Sequence, residues 1–303
     1  MAEKKFRSGF VAVLGRPNVG KSTLVNRLAG EKIAIVTPKP QTTRNKIAAV
    51  ITTDSYQLIL EDTPGQHPPK TALSRFMQRG WESAAADADA AVLVIDGERG
   101  VTAGDRHIIG DLQKKSYPII AVVNKCDRAG KESVFPALSA LAEQGIFKEV
   151  LPVSAKTGEN CELLLQKLVS FLPEGQKYYP DDEITDKSER FLASEIVREK
   201  VLLYYQQEIP HGIVVTIEKF SEDSERGLIE IDAVLVCEKA SHKPILIGKD
   251  GLALKKIGSS ARPALEKLLG KKVYLTMWVK VKEDWRDSDV QLRRLGYDSK
   301  KDV

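Results

Sequence analysis

Six short apolar runs punctuate the first half of the chain, at Phe10 to Leu14, Lys46 to Thr53, Gln57 to Glu61, Ala91 to Ile95, Pro118 to Val123 and Glu149 to Val153. Their length suits strands, and their nearly unbroken apolar character suits strands covered on both faces. Between them, apolar residues recur every three to four positions over Thr23 to Ala29, Ala103 to Lys115, Lys131 to Glu143 and Glu159 to Phe171, which predicts helices. Alternating strands and helices give an α/β fold with a six-stranded, mostly parallel sheet covered by helices; the 46–53 and 57–61 hairpin adds one antiparallel strand. Ligand-holding loops of such a sheet collect at the carboxyl ends of its strands.

The pattern changes after Leu172. Pro173-Glu174-Gly175 and a polar, acidic run to Ser188, interrupted by Pro180, read as a linker. A helical stretch follows from Glu189 to Gln206, with Leu192, Ile196, Val197 and Val201 on one face. Two alternating strands come next, Ile213 to Phe220 and Gly227 to Cys237, joined by the polar turn Ser221 to Arg226. Lys243 to Ile247 leads into Gly248-Lys249-Asp250-Gly251, a helix from Leu252 to Leu269 and a last strand, Lys272 to Val281. The expected organisation is a first domain over 1–172, a linker over 173–188 and an α+β second domain over 189–303, in keeping with a length of 303 residues.

Composition narrows the setting. There is no apolar run of membrane-spanning length, and the charged N-terminus is not followed by a signal-peptide core, so a soluble, cytoplasmic protein is expected. Cys126, Cys161 and Cys237 are widely spaced and read as reduced thiols; His67, His107, His211 and His242 form no ligand pair. From Pro173 onward, 23 basic and 24 acidic residues give no bulk sign of nucleic acid. Their distribution does: 239–282 holds eleven basic residues against Asp250 and Glu266 alone, centred on the Gly-x-x-Gly loop.

The first strand runs into Gly15-Arg16-Pro17-Asn18-Val19-Gly20-Lys21-Ser22, and Thr23 opens the helical stretch. Strand, glycine-bounded turn and helix in that order make a P-loop, whose N–H groups converge on a nucleoside triphosphate. Lys21 is placed to reach the β and γ phosphates and Ser22 to ligate magnesium. The fifth run ends in Asn124-Lys125-Cys126-Asp127. The two carboxylate oxygens of Asp127 match the paired N1–H and N2–H donors of guanine. Adenine lacks that pair, which selects GTP and counts against a P-loop kinase or ATPase. Asn124 is expected to brace the loops and Lys125 to lie along the base plane.

The third run ends in Asp62-Thr63-Pro64-Gly65. Asp62 can hold the magnesium shell through water, and the Gly65 N–H can bond the γ-phosphate, so that loss of this phosphate frees the loop. In Pro40-Gln41-Thr42-Thr43-Arg44 a threonine can add a hydroxyl to magnesium, Thr43 being favoured over Thr42. Ser154-Ala155-Lys156 can close over the base with a backbone N–H to guanine O6.

These five elements, in this order, resemble a translation-factor-type GTPase. With the Gln41-Thr42-Thr43-Arg44 switch, the stretch Phe191 to Lys200, Ile247 to Gly251 and Lys255-Lys256-Ile257-Gly258, the chain resembles the Era-type family over nearly its whole length, roughly Phe6 to Val281. The second half is similar to a type II KH domain, whose Gly-x-x-Gly loop clamps about four nucleotides of single-stranded RNA. The resemblance implies RNA contacts from Ile247, Gly248, Lys249, Asp250, Gly251, Lys255 and Lys256, with Asp250 departing from the usual basic or small residue. It also implies GTP hydrolysis to GDP with magnesium, the 3′ end of small-subunit ribosomal RNA and the 30S subunit as partners, a monomer, and peripheral association with the inner membrane.

For catalysis the set is Asn18, Lys21, Thr43, Gly65 and Gln66, with two routes open. Gln66 occupies the position where Ras-like GTPases place a water-orienting glutamine. Asn18, in related GTPases with Pro-Asn in the P-loop, helps hold potassium in the role of an arginine finger. A rival class is a signalling or membrane-peripheral GTPase whose second domain binds proteins. The tail, Glu283 to Val303, with Trp285, Leu292, Leu295 and Tyr297, either flanks RNA or packs on its domain.

Overall fold

A computed structural model describes residues 5–66, 68–205 and 212–298. His67, His211, the expected helix end at Gln206 and the last five residues of the tail lie outside them. Two compact units divide the chain: residues up to Pro69 with Ser74–Asp186, and Lys187–Asp298 with Lys70–Leu73.

The first unit runs β1 (Arg7–Leu14), α1 (Lys21–Ala29), β2 (Ile47–Thr52), β3 (Tyr56–Asp62), α2 (Ala72–Asp87), β4 (Ala90–Asp96), α3 (Ala103–Leu112), β5 (Ile119–Asn124), α4 (Lys131–Ala142), β6 (Glu149–Pro152) and α5 (Cys161–Phe171). Its sheet has the order β2-β3-β1-β4-β5-β6, and only β2 runs antiparallel to its neighbour. Apart from half-buried Phe10 and Tyr56, the apolar residues of β1, β3, β4 and β5 are buried because helices cover both faces, which is why those runs show little alternation. Helix α2 is absent from the sequence expectation, yet Leu73, Phe76, Met77, Trp81, Ala84 and Ala85 recur along it at helical spacing and are buried.

The stretch read as a linker is bonded to the first unit as far as Asp186. Strand β2 is an edge of the sheet, and an unpaired edge leaves backbone groups without partners. The chain returns to meet them: the Val50 N–H donates to the Ile184 carbonyl at 2.9 Å, Ala49 bridges Thr185, and the Ala48 N–H donates to Asp186 Oδ1 at 2.9 Å. Composition gave the polarity of a linker and no sign of these backbone bonds.

The second unit runs α6 (Glu189–Tyr204), β7 (Ile213–Asp223), β8 (Leu228–Cys237), α7 (His242–Ile247), α8 (Leu252–Leu269), β9 (Lys272–Val281) and α9 (Asp289–Arg294). Strands β7 and β8 are antiparallel, and β9 joins β8 in parallel. Ala193, Ile196, Val197 and Val201 of α6 and Ile257, Ala261 and Leu265 of α8 form one core with the inward residues of the three strands. Strand β7 outlasts its expected end because the Asp223 carboxylate accepts the N–H groups of Glu225 and Arg226 and tightens the turn. The described part of the tail packs inward: Trp285, Leu292, Leu295 and Tyr297 are buried, and Trp285 Nε1 donates to the Gly212 carbonyl at 3.1 Å.

Candidate nucleotide-binding site

One cleft is lined by the P-loop from Arg16 to Thr23, by Thr42, Thr43 and Gly65, and by Asp96 and Lys125. Helix α1 begins at Lys21, and no side chain caps its first N–H groups, which leaves an anion-binding helix start facing the loop. Gly20 is required there: its φ is 100°, and a Cβ would stand 2.2 Å from Asn124 Nδ2. Lys21 is buried, and its ammonium donates to the carbonyls of Gly15 and Arg16 at 3.1 and 2.9 Å. Burial lowers its pKa to about 8, against the pull of Asp62.

Beside it, Ser22 Oγ, Thr43 Oγ1 and Asp62 Oδ2 form a triangle with edges of 2.6, 2.8 and 3.3 Å. These three hard oxygens suit a hydrated magnesium ion, which the Ser22 and Thr43 hydroxyls would ligate directly and the Asp62 carboxylate would hold through water. Asp62 Oδ1 is buried with no hydrogen-bond partner, and burial pushes the carboxyl up to about 6 despite the Ser22 bond and the Lys21 charge. Hydroxyl and carboxylate oxygens are hard donors suited to magnesium, and no group of three or more His, Cys, Asp or Glu offers a rival metal site among the described residues. Thr42 turns away: its hydroxyl meets Thr37 Oγ1 at 2.6 Å and donates to the Lys39 carbonyl at 2.7 Å.

At the base end, Asn124 joins two loops. Its Nδ2 donates to the Val19 carbonyl at 2.9 Å, and its Oδ1 accepts the Ala155 N–H at 3.0 Å. Ser154 donates to Asp127 Oδ1 at 2.7 Å and orients the carboxylate. Lys125 pairs with Asp96 at 2.7 Å, and Arg27 of α1 holds the carbonyls of Ala155 and Lys156. Sequence reading missed both Asp96 and Arg27. Asp96 had a signal, because it closes an apolar strand at the carboxyl edge where ligand loops gather; Arg27 had none.

The remaining P-loop and switch residues are tied to their surroundings. Thr63 Oγ1 donates to the Val13 carbonyl at 2.7 Å, and Pro64 leads to Gly65, where a Cβ would lie 2.5 Å from the Pro17 nitrogen. Arg16 donates to Thr102 Oγ1 at 2.5 Å and lies 3.5 Å from Asp105, the pair that caps α3. Asn18 Nδ2 donates to the Pro38 carbonyl at 2.9 Å. Gln66 is turned to α3, with Nε2 3.3 Å from Asp111 Oδ2.

In the second unit, Ile247 ends α7 and Gly248-Lys249-Asp250-Gly251 leads into α8. A Cβ on Gly248 would lie 2.6 Å from Ala253 Cβ, whereas one on Gly251 would meet nothing within 4 Å. Asp250 has φ 50°, a left-handed conformation that Asp tolerates better than most residues. Lys249, Asp250, Lys255 and Lys256 are exposed, and Lys256 Nζ lies 5.5 Å from the Tyr204 ring centre.

Known proteins place this geometry. The 50S ribosome-binding GTPase family matches residues 10–125, and the KH domain family matches 208–286. GTPase Era of Caldanaerobacter subterraneus subsp. tengcongensis is 47% identical, covering 96% of this chain and 98% of its own; GTPase Era of Alkaliphilus oremlandii is 49% identical, covering 97% and 99%. Two crystal structures superpose with a TM-score of 0.92 at 37% identity, over 96% of this chain and 99% of theirs. One is Era in complex with MgGDPNP and nucleotides 1506–1542 of 16S ribosomal RNA; the other is Aquifex aeolicus Era bound to GDP·AlF4⁻. A likeness that spans both units at this level of identity fixes the lineage as well as the fold, and the chain belongs to the Era family of GTPases.

Proposed function

We propose that this protein is a GTP-controlled RNA-binding switch acting in assembly of the small ribosomal subunit, with the single-stranded 3′ end of 16S ribosomal RNA as its RNA. The carrying observation is the Ser22–Thr43–Asp62 triangle, which joins the P-loop to both switch segments through one cluster of hard oxygens. Bound magnesium supplies neutralisation of charge on the β and γ phosphates. Lys21 exchanges its loop carbonyls for phosphate oxygens, Gly65 meets the γ-phosphate, and Asp127 reads guanine while Asn124 and Ser154 hold the loops around it. Thr43 and Gly65 are ordered by GTP and released on hydrolysis.

In the second domain, here taken as 189–303, Ile247 to Gly251 meets the sugar-phosphate backbone over open Gly251, and Lys255 and Lys256 add charge. Asn18, already bonded to the Pro38 carbonyl just ahead of the first switch, is suited to help hold a potassium ion, and Gln66 must leave Asp111 to orient water. The protein works as a cytoplasmic monomer on the 30S subunit, with peripheral contact at the inner membrane; among the described residues no helix is long and apolar enough to cross one. The test is binding of the 1506–1542 fragment of 16S ribosomal RNA in the presence of GDP and of a non-hydrolysable GTP analogue. Tight, steeply salt-dependent binding that changes with the nucleotide supports the reading. Failure to bind the fragment, or a flat salt dependence, hands the second domain to protein partners.

A further inference from the structure

Gln57 of β3 is fully buried and spends its side chain on the returning chain. Its Nε2 donates to the Tyr179 carbonyl at 2.8 Å and to Thr52 Oγ1 at 2.9 Å, and its Oε1 accepts the N–H groups of Tyr178 and Tyr179 at 2.7 and 3.0 Å. The Tyr179 ring packs with Ala48, Val50 and Ile59 of the hairpin, and Tyr178 meets Phe10 edge-on at 4.8 Å. Farther along lie the Ile184–Val50 bond, the Thr185–Ala49 bridge and the Asp186–Ala48 bond. The segment thus follows the β2–β3 hairpin from Gln57 to Ala48.

The direction of that path matters. Gln57 is at the end of the hairpin remote from the nucleotide, paired with Thr52; Ala48 is next to Ile47, which pairs with Asp62. Asp62 in turn is bonded to Ser22 and Thr43. Asp186, where the first unit ends, holds Ala48, and Ala48 is one residue from Ile47, the partner of Asp62 across the hairpin. Two residues later Ser188 caps α6, its side chain accepting the Phe191 N–H. A tether that only kept two domains together would need one attachment, at any point. Here attachments run the length of the hairpin between the two switches and reach its switch end.

We infer that segment 173–186 is the coupler of this protein: it moves with the β2–β3 hairpin, and Asp186 hands the nucleotide-dependent position of that hairpin to the chain entering α6. Hydrogen-bonded strands shift as units rather than deforming gradually, so rearrangement of Thr43 and Asp62 on loss of the γ-phosphate reaches Asp186 through Ala48. The inference rests on the reading that RNA affinity depends on the bound nucleotide.

The experiment measures affinity for the 1506–1542 RNA fragment with GDP and with a non-hydrolysable GTP analogue, in the full chain. In the unmodified protein the two affinities should differ by roughly 5- to 150-fold, the usual range for coupled sites. Asp186→Ala should bring that ratio toward one while GTP affinity and RNA-free hydrolysis stay unchanged; Asp186 is exposed, so the fold survives the change. Asp186→Asn keeps an acceptor for the Ala48 N–H and should restore the ratio. A disulfide from Ala49→Cys with Thr185→Cys, which fastens the segment to β2, should leave the ratio intact. A full ratio in Asp186→Ala, or a ratio lost on forming the disulfide, overturns the coupler alone. An unmodified protein that binds this RNA equally in both nucleotide states overturns the switch reading, and the coupler with it.

Discussion

Lys21 and Asp62 lie buried within electrostatic reach of one another, and each favours the charged form of the other against the cost of burial. Burial still prevails, lowering Lys21 to about 8 and raising Asp62 to about 6. Both groups are charged together only between those values. A triphosphate needs protonated Lys21, so affinity should fall as pH rises through about 8 and the ammonium is lost. Magnesium needs the Asp62 carboxylate, so affinity for the magnesium complex should fall as pH drops through about 6. One pH unit beyond either value costs up to about 1.4 kcal/mol. Titration calorimetry with Mg·GDPNP across that range reads the profile, and a flat one removes the coupling of the pair to binding.

Base choice depends on Asp127, held by Ser154. Asp127→Asn loses charge-assisted bonds to guanine and should weaken GTP by about 1.5–3 kcal/mol. Xanthosine triphosphate, with an acceptor where guanine has its amino group, should gain relative preference. Competition between the two nucleotides measures this, and unchanged GTP binding would remove Asp127 from the base site.

The motifs that sequence made legible carry their chemistry in local order. The turn that begins at Gly15 follows β1 directly and ends in Lys21-Ser22 at the start of α1, and Asn124 to Asp127 starts on the last residue of β5, so spacing alone places them. Thr43 could be preferred over Thr42 but not separated from it by local pattern; the separation comes from Asp62, which the sheet brings beside Ser22. Arg27 reaches Ala155 and Lys156 only because α1 packs near the sixth strand's loop, and nothing near Arg27 in sequence announces that contact. The 173–186 stretch was hidden for another reason: its bonds use backbone groups, and Tyr178, Tyr179 and Ile184 were its only apolar signals against many charges.

The two catalytic routes make different demands. If Asn18 holds potassium, replacing sodium by potassium should raise kcat, and Asn18→Ala should abolish the rise with GTP affinity nearly unchanged. If Gln66 orients water, Gln66→Ala should lower kcat by about two orders of magnitude, within the range of positioned catalytic groups, in either salt. Single-turnover hydrolysis in both salts separates them, because only the Asn18 route makes the rate depend on the cation.

The Gly-x-x-Gly loop offers a clean test because its two glycines are not equivalent. A side chain at Gly248 would collide with Ala253, so loss of RNA binding there would be confounded by damage to α8. Gly251 faces open space, and its φ of 75° costs a non-glycine residue roughly 1–2 kcal/mol, with Asp among the better tolerated. Gly251→Asp should therefore fold yet abolish single-stranded RNA binding, since bulk and negative charge both keep phosphate from the backbone. Hydrolysis without RNA should be spared, because the nucleotide site lies in the other unit. Lys255→Ala with Lys256→Ala should act more gently, lowering the salt slope by about 1.4 for two lost contacts to a single strand. RNA affinity against salt, measured for the three proteins, gives both answers. Unaltered affinity and slope in Gly251→Asp would mean that this loop does not touch RNA and that the basic surface serves a protein partner.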